Sequence, residues 1–191
     1  MPIFQDTFTT GVDQNLEAHT PDVGTSWTEL WATTAGAGFD VLASTDVLTH
    51  IGADVTSSGA IYTANATYPS ADYDITVTMT QLDPDADDSV YLLVRVQDQE
   101  NMYAVRLKDQ GGANTCRLHK KLAGVWSSLS PFFTAPADGS IIKLEIIGSA
   151  LKFYDDGVVI ASATDTDITA AGKAGVAIGG NAELVVSTDD I

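Results

Sequence analysis

"SVYLLVRVQDQENMYAVRLKD", residues 89–109, decides how this chain folds. Apolar residues fall on alternate positions to either side of the polar "DQEN", residues 98–101. Period two is the pattern of a strand with one buried face, and a polar four-residue break between two such runs predicts an antiparallel hairpin. Matched apolar rows choose the register, because a one-residue slip exchanges the two faces. The expected pairs are Val96 with Tyr103, Val94 with Val105 and Leu92 with Leu107. The opposite face then holds Tyr91, Leu93, Arg95, Gln97, Met102, Ala104, Arg106 and Lys108.

The next predicted strand follows "QGGAN", residues 110–114, and continues the same logic. Cys116, Leu118 and Leu122 point inward, and Arg117, His119 and Lys121 point outward. Lys120 falls on the inward parity. Arg95, Arg106, Lys108, Arg117, His119 and Lys121 are therefore expected on one outward face across three strands. "DYDITVTMT", residues 72–80, alternates likewise, with Tyr73, Ile75, Val77 and Met79 on one side. Similar runs are "IIKLEII", "ALKFYDD", "VVIASA", "AGVAIG" and "ELVVS". Asp155-Asp156-Gly157 reads as a tight hairpin turn, since glycine accepts positive φ. Ten or more short strands with Gly, Asp, Asn and Pro punctuation predict an all-β, two-sheet antiparallel β-sandwich, one domain over residues 1–191.

Charge sets the permitted partners. The chain has 191 residues with formal net charge -17. Residues 1–94 carry fourteen Asp/Glu and no Lys/Arg, against twelve acids and nine bases in residues 95–191. Such a surface repels phosphate backbones and anionic membranes, so neither is an expected partner. Cys116 is the only cysteine, which excludes an internal disulfide and a multi-cysteine metal site. "MPIFQDTF" lacks a secretory n-region and h-region, and no run reaches the roughly 18 apolar residues of a membrane helix. Synthesis as a soluble cytoplasmic chain is expected, compatible with release by lysis.

The order "YLLVRVQDQENMYAVRL", "CRLHKKLAGVWSSLS", "APADGSIIKLEIIGSALKFYDDGVVIASATD" and "GKAGVAIGG" resembles concanavalin A-like lectin/glucanase jelly-roll domains, notably the laminin G-like members. The likeness covers residues 72–180 and includes an arginine strand, a short Asp/Asn loop, a "G-x-W" hairpin and a late "DG" turn. The opening "FQDTFTTGVDQNLEAHTPDVGTSWTEL" resembles the first strands of such domains in tailed-phage virion proteins. The resemblance implies a jelly roll, a fold that hosts enzymes, lectins and structural modules alike. It also implies a structural calcium where the first and last strands meet, with Asp6 and Asp189 or Asp190 as ligands.

Catalytic chemistry finds little to work with. Laminarinase-type relatives carry E-x-D-x-x-E on one strand, whose alternating carboxylates act as nucleophile and acid. Glu17, Glu29, Glu100, Glu145 and Glu183 are scattered and form no such run. His19, His50 and His119 lack metal-like spacing, and His19 in "HTPDVG" reads as part of a turn. "LDPDADDSV" is rich in oxygen ligands but fails the EF-hand pattern, with Asp88 and Val94 at the glycine and glutamate positions. A solvated hairpin loop is the expectation there.

The cationic face admits three readings: internal pairing with the acids, a ligand groove, or a protein interface. Its candidate binding residues are Tyr91, Arg95, Gln97, Arg106, Arg117 and His119. The expectation from sequence is a non-enzymatic virion component of a tailed phage, a capsid decoration or surface protein. Its partners would be capsid or tail proteins, a role compatible with a homo-oligomer. The alternative is a carbohydrate-binding, lectin-like module or adhesin recognising host glycans. No cofactor is expected beyond the structural Ca²⁺.

Overall fold

The computed structural model of the chain describes residues 3–32, 38–42, 47–51, 59–82, 89–108, 115–179 and 184–190, and these hold strands and turns with no helix. In chain order the strands are β1 (Gln14–Asn15), β2 (Trp27–Ala32), β3 (Gly38–Leu42), β4 (Val47–Ile51), β5 (Gly59–Ala64), β6 (Tyr73–Leu82), β7 (Ser89–Asp98) and β8 (Asn101–Leu107). They continue as β9 (Arg117–Leu122), β10 (Val125–Ser128), β11 (Ile141–Ile147), β12 (Ala150–Asp155), β13 (Val158–Thr164), β14 (Lys173–Gly179) and β15 (Leu184–Asp190). One sheet runs β1-β3-β4-β15-β6-β11-β12-β13 and the other β10-β9-β8-β7-β14-β5-β2. Each pairing is antiparallel. This is the two-sheet sandwich that the alternation predicts.

The core lies between the sheets. Ile75, Val77 and Met79 of β6 and Ile142, Leu144 and Ile146 of β11 meet Val90, Leu92 and Val94 of β7 and Tyr103, Val105 and Leu107 of β8. Cys116 and Leu118 join them, as their parity requires. Each large aliphatic side chain so buried contributes about 1.5–3 kcal/mol. The Asp155-Asp156-Gly157 turn closes β12 onto β13, with Asp155 opposite Val158 and both central residues at positive φ. That is the primed turn whose twist matches its flanking strands.

The β7–β8 hairpin differs from expectation in one respect. Asp98 pairs with Asn101 at the turn, but the body of the hairpin pairs Val94 with Tyr103, Leu92 with Val105 and Val90 with Leu107. Two surplus residues of β7 are absorbed in a bulge between Val94 and Asp98, where Arg95 adopts φ 49°. A shift of two keeps the parity of Val90, Leu92 and Val94. Beyond Val94 the bulge re-aims the strand. Val96 leaves the core row and packs with Leu93 and Met102 on the other face of the sheet.

Arg95 is the main correction. Instead of pointing outward it is buried, 2% exposed. Its guanidinium donates to the carbonyls of Ala71 (2.8 Å), Ile168 (2.9 Å) and Gly148 (2.8 Å) and to the Asp72 carboxylate (3.1 Å). Its own N–H donates to the Tyr73 hydroxyl at 2.5 Å, and that hydroxyl donates to the Gly172 carbonyl. Four guanidinium hydrogen bonds, one of them to a carboxylate, offset the cost of burying a charge that alternation alone assigns to solvent. Gln97 follows, its amide donating to the carbonyls of Ala170 and Ala171.

Lys120 keeps its inward parity and is 9% exposed. Its ammonium donates to Asp165 at 2.5 Å and to Asp167. The Tyr103 hydroxyl donates to Asp165 at 2.6 Å. Hydrogen bonds from Lys120 and Tyr103 hold the Asp165 carboxyl below its ordinary range, although burial acts first and in the opposite sense. A buried cation is tolerated here because it is paired.

Candidate functional site

The seven-stranded sheet turns one face to the core. Its other face is organised by register into three rows across β7, β8, β9 and β10. Tyr91, Arg106 and Arg117 form one row; Leu93, Ala104, His119 and Ser128 the next; Met102, Lys121 and Trp126 the third. Toward β14 and β5 this face is apolar. Ile61, Leu93, Val96, Met102, Ala104 and Ala177 are buried in a second cluster, separate from the main core. The face is therefore dry at its centre, and its polar, accessible part is the corner over β8, β9 and β10.

Trp126 organises that corner. Its ring is 42% exposed and stacks on Tyr91 at 5.5 Å between centroids, meets His119 edge-on at 6.0 Å, and has the Lys121 ammonium 5.8 Å from its centroid. Trp126 and Tyr91 start from opposite rows, so their rings meet above the middle row. Ala104 supplies its smallest side chain. Phe132, 48% exposed, lies 3.6 Å beneath the Arg117 guanidinium. Two accessible aromatic rings, each in contact with a cation, thus border the corner.

Arg106 and Arg117 sit directly opposite each other on β8 and β9. Like charges in that relation are destabilising. Among the described residues neither makes an ion pair. Arg106 donates to the Thr115 carbonyl at 3.0 Å and Arg117 to the Ser128 hydroxyl at 2.6 Å. The Nε atoms of both and Nε2 of His119 are buried without a hydrogen-bond partner among the described residues. Burial, then the charges of Arg106 and Arg117, push the His119 ring down to about 4. Burial likewise raises the Tyr91 hydroxyl, opposed by the Arg106 charge and by hydrogen bonds with Ser89 and Arg106.

Of the expected binding residues, Tyr91, Arg106, Arg117 and His119 come together on this corner, with Lys121. Arg95 and Gln97 do not, because the bulge turns both toward the segment around residues 168–172. Trp126 and Phe132 are the additions. Trp126 was legible in principle, since a two-residue turn after Leu122 places it opposite Lys121. Phe132 lies outside any strand and carries no periodic signal.

The sequence matches no protein-family model and no curated protein. Solved structures do match. A carbohydrate-binding module, CBM66, from Bacillus subtilis is 18% identical, with 86% of this chain and 92% of that one covered and a TM-score of 0.60. A protein of unknown function with a galectin-like fold, also from Bacillus subtilis, is 13% identical, with 92% of each chain covered and a TM-score of 0.64. A β-1,3-1,4-glucanase (lichenase) from a mouse hindgut metagenome is 11% identical, with coverage of 94% and 98% and a TM-score of 0.59. The chain has the concanavalin A-like jelly-roll fold.

Within this jelly roll the expected calcium ligands can be placed in part. Asp6 is buried, and its Oδ1 accepts from His19 Nε2 (2.7 Å) and the Phe8 N–H (2.8 Å). Oδ2 accepts from Trp27 Nε1 at 2.7 Å. His19 Nδ1 in turn accepts from the Gln14 amide, which makes His19 part of the packing, as its turn context suggests. These donors make Asp6 a hub of the packing between the N-terminal segment, His19 and Trp27. The side chains of Asp189 and Asp190 lie outside the described residues, and in the sheet β3 and β4 separate β1 from β15. The acidic loop of residues 83–88 also lies outside them. Among the described residues no group of three His, Cys, Asp or Glu side chains could hold a metal ion.

Proposed function

We propose that this jelly roll binds carbohydrate at the corner formed by Tyr91, Trp126 and Phe132 with Arg106, Arg117 and Lys121. The observation that carries the reading is the Trp126 ring, exposed yet held by stacking on Tyr91. A sugar presents an apolar C–H face and a rim of hydroxyls. It needs a fixed flat surface beside directed polar groups, and rigid aromatics flanked by planar guanidinium donors supply both. The neighbours named above favour the glycan-binding alternative over the virion component expected from sequence.

Binding without hydrolysis is the favoured form. A retaining glycosidase needs two carboxyl groups about 5–5.5 Å apart across the bound sugar. The centre of this face, where a cleft would run, is occupied by Leu93, Met102 and Ala104, and its polar corner is cationic. The fold itself does not decide between a lectin and an enzyme. A glycan array probed with the full chain and with Trp126→Ala tests the proposal. Saturable binding by the parent and its loss in the variant is the expected result; equal signals from both would remove the corner from consideration.

A further inference from the structure

The arginine pair says something more specific about the ligand, if the corner is where glycan binds. The chain carries 26 acidic and nine basic side chains, so a carboxylate partner is the ordinary fate of any arginine in it. Arg95, Lys120, Lys121 and Lys143 have one, while the lysines Lys152 and Lys173 have none among the described residues. Arg106 and Arg117 have none there either. They face each other across two strands, with no ion pair among the described residues, and depress the neighbouring histidine. Among the described residues no carboxylate pairs with either arginine to offset their mutual repulsion. Their Nε atoms and His119 Nε2 are buried with no hydrogen-bond partner among the described residues.

We infer that Arg106 and Arg117 form an anion subsite and that the glycan bound at the corner carries an acidic group, a carboxylate or sulfate, on the ring that meets Trp126 or Phe132. Guanidinium groups match both anions with paired N–H donors, and a bound oxyanion cancels the repulsion between them. His119 is neutral near pH 7, so the positive charge of the subsite comes from the arginines, with Lys121 at its edge. The rest of the molecule limits the anion. A net charge of -17 repels a long polyanion, while a single acidic group on an otherwise neutral oligosaccharide meets mainly the local field. The favoured ligand is therefore sparsely charged, an oligosaccharide with one acidic residue and not a polyuronate or a nucleic acid.

Matched glycan pairs test this: sialylated against asialo oligosaccharides, uronyl oligosaccharides against their methyl esters, and sulfated against desulfated chains. The inference rests on the proposed glycan binding, and the pairs separate the two. Retention of the acidic member at least tenfold above its neutral partner, lost in Arg106→Gln/Arg117→Gln, is the expected outcome. Equal retention of both members overturns the anion subsite and leaves glycan binding standing. Retention of no glycan, neutral or acidic, overturns both. A second readout is thermal stability. Removing one of two facing cations relieves repulsion, so Arg117→Gln without ligand is expected to melt at or above the parent temperature. A large fall would mark the arginines as structural and overturn the assignment.

Discussion

Arg95 and Gly172 lie back to back: a Cβ on Gly172 would fall 2.6 Å from the Arg95 carbonyl carbon and 2.8 Å from the Val96 nitrogen. The bulge in β7 and the segment entering β14 are thereby pressed together, and the Tyr73 hydroxyl bonds to both sides of the contact. Backbone atoms cannot yield as a flexible side chain can. Gly172→Ala is expected to destabilise the fold.

Arg95→Ala removes the donor from the carbonyls of Ala71, Gly148 and Ile168. A buried acceptor left unpaired costs about 1–3 kcal/mol, and water can reach some of these three, so a loss of about 2–4 kcal/mol is expected. Urea denaturation measures it. Because the side chain points away from the aromatic corner, glycan affinity of the folded variant should equal that of the parent. A selective loss of binding with unchanged stability would place Arg95 at the ligand after all.

The path from sequence to these residues is uneven, for physical reasons. Alternation is a property of neighbouring residues, so the core rows Val90-Leu92-Val94 and Tyr103-Val105-Leu107 and the inward Cys116 and Leu118 could be read directly. A bulge is decided by distant partners. Nothing within residues 89–109 records that Ala71, Gly148 and Ile168 have carbonyls to offer Arg95. The same holds for Lys120, whose parity was legible while its partners, Asp165 and Asp167, lie 45 and 47 positions away. The outward cations on β8 and β9 could be grouped because consecutive strands pair. The dry centre of that face could not, since it needs β14 and β5 beside β7.

Trp126→Ala separates binding from folding. The ring is 42% exposed and sits on an edge strand, so its loss is expected to cost under about 2 kcal/mol of stability. Glycan affinity should fall at least tenfold, because the stacking surface disappears. Tyr91→Phe, which keeps the stacking ring under Trp126, should retain most of the affinity. Calorimetric titration with the best glycan from the array checks both. A Tyr91→Phe defect as deep as that of Trp126→Ala would assign the binding energy to the hydroxyl and not to the ring.

The Lys120 cluster predicts stability lost at both ends of the pH scale. Hydrogen bonds that Lys120 donates to Asp165 and Asp167 raise its ammonium above the ordinary value, against the effect of burial. A raised cation stabilises below its unfolded pKa, and that contribution disappears as pH climbs through the folded one. Asp165, which is lowered, stabilises above its unfolded value near 4 and loses that contribution as pH falls through the folded one. Lys120→Met is expected to cost about 1–3 kcal/mol at pH 7, since Asp165 keeps only the Tyr103 side-chain donor. The difference from the parent should shrink in acid. A double-mutant cycle with Asp165→Asn isolates the pair, and zero coupling would dissolve it.

His119 predicts a distinct response in mild acid. Its ring is held to about 4 in the folded chain, against 6.5 for an unperturbed histidine, by burial and then by Arg106 and Arg117. Between those values the unfolded chain takes up a proton that the folded one refuses. Stability therefore falls as pH is lowered from about 6.5 to 4, and this contribution levels off below both values. Many carboxylates titrate in the same range, so the informative quantity is a difference. His119→Gln should gain stability relative to the parent between pH 7 and 4.5, read from denaturation midpoints at several pH values. A difference constant across that range would mean that His119 is not held neutral. An acidic glycan on the arginine pair brings negative charge beside the ring and should raise its pKa, visible in the histidine proton resonances of the bound protein. A neutral glycan at the same corner, with no charge to offer, should leave that titration where it was or push it lower by further burial.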